Sequence, residues 1–363
     1  MSAAQAIADA LQRIEPDASA EIVDVLAGCN HFPLNQFPRL YGPFVTNLPR
    51  VWLTFWRLSD YPRAADAVAS LLWPLLAEHL RDLVREHSPD VMVPIHPLLV
   101  RPAVRLSEEG AGLPVACIVT DLVRLHAFWL YPPVDRYLLS TDEAARATVA
   151  AGVPPERVVV CGQPIHPGAP ASLTRHAARR ALGLDEHAPI VLVTGGGAGA
   201  GPLLEVAEKL DEQLESEVQL AVICGRNERV RQRLEGRTWR RRAQVLGYVA
   251  DMPTWLRATD LLVTKAGPSA LAEAMAEGLP TVIMSALPGQ ETDNVRYFCG
   301  EGAAIWAPRA AQVCQEVATL LREPARAQAL AARARAVAHP DSARLAAEAL
   351  LELAVSAGVP APA

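Results

Sequence analysis

Short runs of apolar residues recur along the chain, separated by longer stretches in which apolar positions return every three or four residues. The short runs predict strands at 21–26, 91–95, 115–120, 136–140 and 158–161, then at 190–194, 219–224, 244–246, 261–264, 281–284 and 303–306. The longer stretches predict helices, among them 66–87, 203–216, 227–234 and 269–277, with an alanine-rich closing helix over 342–354. Strands that are apolar throughout and alternate with helices belong to parallel sheets covered on both faces.

This rhythm breaks at 163–184, where Pro164, Pro167, Gly168 and Pro170 precede a short Arg/Ala-rich helix and Gly183. Such a composition reads as a linker. The predicted organisation is a first domain over 1–165, a linker over 166–184, a second domain over 185–335, and a closing helix and tail over 336–363. A chain of 363 residues is long enough for two such cores.

Composition narrows the function classes. Apolar residues make up 51% and charged residues 20%, ordinary for a soluble globular protein, and the net charge of -6 argues against a nucleic-acid partner. The six cysteines form no C-x-x-C pair, and the first residues lack the charge and apolar pattern of a secretory leader. A cytoplasmic protein with reduced thiols is expected. The dispersed histidines show no metal-ligand spacing, and no apolar run reaches the ~18 residues of a membrane span. Any membrane contact is expected to be peripheral.

The strongest local chemistry follows the strand at 190–194. There the sequence runs Thr194-Gly-Gly-Gly-Ala-Gly-Ala-Gly-Pro202 into a predicted helix. Gly195, Gly196, Gly197 and Gly199 let backbone approach phosphate oxygens closely, and a helix N-terminus adds free N–H groups and a positive dipole end. No Gly-Lys-Ser/Thr follows, so this is not a Walker loop. The next strand ends in Cys224-Gly-Arg-Asn227 instead of an acidic ribose partner, which disfavours NAD.

Further polar groups fall at later strand ends, where open α/β sheets bind ligands. Lys265 and Gly267 follow the strand at 261–264, with Ser269 placed to cap the next helix and Glu273 one turn inside it. A carboxylate there can accept both hydroxyls of a ribose. After the strand at 281–284 come Gln290, Glu291, Asp293 and Asn294, side chains suited to sugar hydroxyls.

In order, the glycine loop, Gly247-Tyr-Val, Lys265-Ala-Gly-Pro-Ser, Glu273 with Gly278-Leu-Pro, and Pro288-Gly-Gln-Glu with Asn294 resemble the C-terminal domain of GT-B glycosyltransferases. The match is closest to the group of monogalactosyldiacylglycerol synthases, processive diacylglycerol glucosyltransferases and the muramyl-pathway GlcNAc transferase. Earlier stretches, including Val93-Pro-Ile-His-Pro-Leu98, the Asp121-x-x-x-x-His126-x-x-Trp129 pattern and Gly162-Gln-Pro-Ile165, fit the same group.

The resemblance implies two Rossmann-like domains with parallel sheets facing across a cleft. It implies a diphosphate on the glycine loop, uracil read by backbone around Tyr248 and Val249, and ribose on Glu273. Gln290, Glu291 and Asn294 would contact the donor sugar or phosphate, while Ser269, Lys265 and Gly267 line the same pocket. The implied activity is inverting, metal-independent transfer of a hexose from UDP-glucose or UDP-galactose to diacylglycerol or a related lipid. No cofactor is expected, because the UDP-sugar is itself the donor substrate.

Family members open with a strand, a Gly-rich loop ending in a histidine base, and an alanine-rich helix. This sequence opens with Met1-Ser-Ala-Ala-Gln-Ala-Ile-Ala, which matches that helix, so the preceding strand, loop and histidine are missing from it as written. Either the start was assigned late or the element has been lost. Of the groups that remain, His126 is the first candidate for catalysis or donor contact, and Asp121 stands as its orienting partner or as the base. His96 ends a candidate strand in the same half.

Between Gln36 and Arg63 lie Arg39, Arg50, Arg57 and Arg63 among Tyr41, Phe44, Trp52, Phe55, Trp56 and Tyr61, with Asp60 the only acid. Aromatics with arginines suit an anionic membrane surface, here the inner face of the cell membrane. The opposing expectation buries Trp52, Phe55 and Trp56 in the core. Two functional alternatives also stay open: a catalytically incompetent nucleotide-sugar-binding protein, and a UDP-sugar epimerase of the same fold.

Overall fold

The computed structural model describes residues 2–32, 34–37, 40, 44, 48–170 and 172–358. Arg39 and Tyr41 of the expected membrane segment lie outside them. The chain forms two compact units, Met1–His166 with Asp341–Ala363, and Pro167–Pro340.

The first unit runs α1 (Ser2–Ile14), α2 (Val25–Gly28), α3 (Pro49–Ser59), α4 (Pro62–His87), α5 (Val100–Leu106), β1 (Ala116–Ile118), β2 (Arg136–Leu139), α6 (Asp142–Ala150) and β3 (Val158–Val160). The second runs α7 (Arg175–Ala181), β4 (Ile190–Thr194), α8 (Leu203–Gln213), β5 (Gln219–Ile223), α9 (Glu228–Glu235), β6 (Ala243–Leu246), α10 (Met252–Ala258) and β7 (Leu261–Lys265). It continues with α11 (Pro268–Glu277), β8 (Thr281–Ser285), α12 (Thr292–Gly300), β9 (Ile305–Trp306), α13 (Ala310–Arg322) and α14 (Pro324–Ala336). The last helix, α15 (Ser342–Ser356), belongs to the first unit.

In the first unit β1, β2 and β3 pair in parallel, with Ile118 opposite Leu138 and Leu139 opposite Val160. Side chains alternate across the sheet, so each face takes every second residue. Val115, Cys117, Val119, Tyr137 and Leu139 pack with Trp129 on one face. Ile118, Leu138 and Cys161 meet Ala6, Ile7 and Ala10 of α1 and Ala343, Ala346 and Ala347 of α15 on the other. The alanines let these two helices lie close to the sheet.

Two expected strands differ. Residues 21–24 form no strand; Asp24 instead caps α2, its carboxylate accepting the Ala27 N–H at 3.0 Å. The stretch 91–95 runs beside β1, with Met92 bridging Val115 and the Ile118 N–H donating to the Pro94 carbonyl at 3.2 Å. Pro94 has no N–H to extend the ladder.

The second unit carries a six-stranded parallel sheet in the order β6-β5-β4-β7-β8-β9. Every residue of β4 and β5 is buried, as strands covered by helices on both faces require. The order reverses between β4 and β7, which creates a topological switch point at their carboxyl ends. The stretch expected as a linker packs onto this unit. Buried Arg179 donates to the carbonyls of Ala258 and Glu186, and Arg257 donates to those of Ala169 and Leu173. The closing helix, α15, packs with α1.

Candidate functional site

At the switch point, the loop after β4 folds on itself. The Gly199 N–H donates to the Gly196 carbonyl at 2.9 Å and the Ala200 N–H to the Gly195 carbonyl at 3.0 Å. Gly199 has a φ of +60°, and a Cβ there would lie 2.0 Å from the Cys224 carbonyl oxygen. No other residue fits that position.

The loop after β5 braces this turn. The Arg226 N–H donates to the Gly197 carbonyl and Asn227 Nδ2 to the Gly199 carbonyl, both at 2.9 Å. The Asn227 carboxamide oxygen also caps α9 through the Val230 N–H. Lys265 and Tyr248 border the loop as well: Lys265 Cε stands 3.4 Å from where a Gly196 Cβ would be, and Tyr248 Cε2 stands 3.9 Å from that point at Gly197. Val249 is half-buried beside the exposed Tyr248.

Two helices point open N-termini from these strand ends. α8 begins after Pro202 and α11 after Gly267, and neither N-cap residue makes a side-chain capping bond. Their first N–H groups and dipole ends suit an anion. Ser269, expected as the cap of α11, lies inside its first turn. Pro268 takes the first helical position, where its fixed φ and missing N–H cost nothing, and this makes Gly267 the cap.

Glu273 lies on the second turn of α11, partly buried, with no hydrogen bond or ion pair among the described residues. Burial pushes its carboxyl up to about 7. Lys265 pairs with Glu291, whose second oxygen accepts the Leu287 N–H at 2.9 Å. Buried Asn294 donates from Nδ2 to the Ala266 carbonyl at 3.0 Å. Glu291 and Asn294 are thus committed to protein groups, and Gln290 is half-buried in the turn before α12.

In the first unit, Asp121 and His126 lie on one loop but are not bonded to each other. The Asp121 carboxylate accepts the Trp129 indole N–H at 2.8 Å. The His126 ring is buried against Trp56 and Phe128, with centroids 4.3 and 4.5 Å away. Its Nδ1 accepts the Phe128 N–H at 3.2 Å, which leaves the proton on Nε2 to donate to the Trp56 carbonyl at 3.1 Å. Burial holds its pKa below the usual value. The orienting partnership expected between the two residues is therefore replaced by separate attachments. His96 is also neutral, pushed down to about 4 by burial, and its Nδ1 accepts the Leu98 N–H at 3.3 Å.

Helix α3 divides its aromatics between buried and exposed positions. Trp52 and Trp56 are buried, while Leu48, Val51, Phe55 and Leu58, spaced three or four residues apart, form an exposed stripe with Leu58 70% exposed. Arg50 and Arg57 are also exposed. No helix among the described residues is long and apolar enough to cross a membrane. Arg226 and Asn227 were not among the expected site residues. Their only sequence signal is the Gly225 before them, where a Cβ would lie 2.5 Å from the Gly196 carbonyl oxygen.

The profile of the family described as monogalactosyldiacylglycerol (MGDG) synthase matches residues 1–165, and that of the glycosyltransferase family 28 C-terminal domain matches 190–348. The chloroplastic monogalactosyldiacylglycerol synthase of Spinacia oleracea is 32% identical over 297 residues, which is 79% of this chain and 56% of the relative. The probable monogalactosyldiacylglycerol synthase 2, chloroplastic, of Oryza sativa subsp. japonica is 30% identical over 330 residues, 87% of this chain and 70% of the relative. The chain spans 56% of the spinach protein and 64% of a probable monogalactosyldiacylglycerol synthase from Glycine max. Among solved structures, MurG of Acinetobacter baumannii aligns with a TM-score of 0.57 at 18% identity, over 78% of this chain and 80% of that one. UDP-GlcNAc 2-epimerase from Neisseria meningitidis bound to UDP-GlcNAc aligns at 0.56 and 12%, over 80% and 81%. At such identities the likeness shows the fold, GT-B.

Proposed function

From the premise that this chain belongs to the monogalactosyldiacylglycerol synthase family, we propose that it transfers a hexose from a UDP-sugar to diacylglycerol or a related lipid. The observation that carries this reading is the convergence of the glycine loop, two uncapped helix N-termini and the carboxyl of Glu273 at one switch point. The names of the relatives favour galactose as the hexose.

In this reading the diphosphate sits against N–H groups of the 195–201 loop and of α8 and α11. Glu273 accepts the ribose hydroxyls, and backbone beside Tyr248 and Val249 meets the base. Gln290 faces the hexose. Glu291 and Asn294 act from behind, the first by holding Lys265 and the second by holding the Ala266 carbonyl.

The acceptor hydroxyl attacks the anomeric carbon, the bond from that carbon to the β-phosphate oxygen breaks, and UDP leaves with inversion. N–H groups aimed at the diphosphate stabilise the charge that develops there. A base must take the hydroxyl proton. Asp121 is assigned that role as the carboxylate on the loop after β1, and His126 positions that loop through its bonds to the Phe128 N–H and the Trp56 carbonyl. The exposed stripe of α3 and its arginines support peripheral attachment to an anionic membrane, where the lipid acceptor resides, on the cytoplasmic face.

The test supplies the purified chain with vesicles of diacylglycerol and anionic phospholipid and a panel of UDP-galactose, UDP-glucose and UDP-GlcNAc. Galactosyldiacylglycerol detected by mass spectrometry is the expected product. UDP binding without any glycolipid product would leave only a nucleotide-sugar-binding protein. An epimerised sugar nucleotide formed without lipid would identify an epimerase.

A further inference from the structure

We propose that Arg226, whose guanidinium lies over the ring of Tyr248, is the cation that meets the donor's diphosphate. The inference rests on the nucleotide-sugar reading above and assigns a residue that the sequence motifs did not single out.

A diphosphate leaving group needs positive charge close to its oxygens. Among the described residues at the carboxyl ends of β4, β5, β6, β7 and β8, two cations lie near the glycine turn: Lys265, the last residue of β7, and Arg226 in the loop after β5. Lys265 is already paired with the buried Glu291 carboxylate, so much of its charge is neutralised. Arg231, which borders Gly247, is similarly occupied, paired with Glu228 and Glu235. Arg226 has no ion pair and no side-chain hydrogen bond among the described residues. Its guanidinium lies 5.0 Å from the centroid of the Tyr248 ring.

The backbone fixes where that side chain starts. The Arg226 N–H donates to the Gly197 carbonyl, and Gly225 packs backbone against backbone on the same turn. Arg226 therefore leaves the sheet beside the loop assigned to the phosphates. Both Arg226 and Tyr248 are exposed, and a cation over an exposed ring is held weakly. A guanidinium gains far more from two charge-assisted bonds to a phosphate, for which its fork geometry is suited. Exchange of the ring for a diphosphate is therefore favourable.

The experiment measures calorimetric affinities of the full chain for UDP, UMP and uridine in wild type, Arg226→Ala and Arg226→Lys. Arg226→Ala is expected to weaken UDP binding about 10- to 100-fold, the range of a lost bond to a charged group. Uridine affinity should stay within about twofold, because the base and ribose contacts remain, and Arg226→Lys should recover part of the loss. Unchanged UDP affinity in Arg226→Ala would overturn the assignment. So would an equal loss for uridine and UDP, which would place Arg226 on the base or in the fold of the loop. A wild-type chain that binds no UDP would overturn the nucleotide-sugar reading itself, and this inference with it.

Discussion

Lys265, at the end of β7, is ion-paired with Glu291, which immediately precedes α12 and is 5% exposed. The pair ties the loop after β8 to the strand end at the switch point. Because Glu291 also accepts the Leu287 N–H, its carboxylate organises the whole 287–291 turn. Glu291→Gln should lower unfolding stability by about 1–3 kcal/mol in urea titrations, since it leaves a charge without its buried partner. UDP affinity should not fall, because Lys265 is released. Lost affinity at unchanged stability would place Glu291 on the ligand instead.

Glu273 gives the site a pH signature. Burial raises its pKa from an ordinary 4.5 to about 7. Between those values the unfolded chain ionises before the folded one, so this group's contribution to stability declines as pH rises from 4.5 through 7. Glu273→Gln should therefore be more stable than wild type at pH 8 and lose that advantage toward pH 4. A ribose hydroxyl donates best to the charged carboxylate, so wild-type UDP affinity should strengthen from pH 6 to pH 8. The Glu273→Gln profile should keep only the part due to ionisation of UDP's own terminal phosphate at about pH 6, and a wild-type profile no steeper than that would count against ribose binding by this residue.

His126 should behave as an internal support. Its burial between Trp56 and Phe128 and its three hydrogen-bond contacts make His126→Ala a cavity mutation, expected to cost about 2–4 kcal/mol. Its lowered pKa means that the unfolded chain takes up a proton below the ordinary 6.5 before the folded ring does. Stability should then drop as pH falls below 6.5, and less steeply in the variant. A large loss of turnover with an unchanged urea midpoint would instead mark His126 as a reacting group.

The stripe on α3 is open to direct measurement. Val51→Ser with Phe55→Ser should reduce co-sedimentation with anionic vesicles by about tenfold or more, given the apolar area withdrawn from the interface. Arg50→Gln should cost roughly fivefold, near 1 kcal/mol for each basic residue at the surface. Neither change should alter UDP affinity. Equal sedimentation of both variants with wild type would remove α3 from the membrane contact.

The glycine turn is the least forgiving segment. Gly199→Ala would force a Cβ into the Cys224 carbonyl at a positive φ, and should destabilise the second unit by about 2 kcal/mol or more while abolishing UDP binding. Circular dichroism melting and calorimetry would reveal both effects. Intact UDP binding in this variant would show that the turn need not keep its shape.

The second unit was largely legible in the sequence because its strands are short apolar runs that alternate with longer helical stretches. In the first unit local chemistry overrode hydrophobicity: Asp24 captured a helix start from an apolar run, and Pro94 removed a ladder donor. At the site, glycines and strand ends were readable because chain position determines where backbone lies. The pairing of Lys265 with Glu291, the burial of His126 and the placement of Arg226 over Tyr248 depend on residues far apart in sequence. Spacing carries no record of such partners.

The first unit includes α15, which packs with α1 although more than three hundred residues separate them. During synthesis the second unit is therefore made before α15 of the first emerges. Until the last helix emerges, the alanine face of α1 and the sheet beneath it wait uncovered, a long-range closure that is intrinsically slow. Removal of the C-terminal helix should accordingly damage the half of the protein farthest from it in sequence and spare its immediate neighbour.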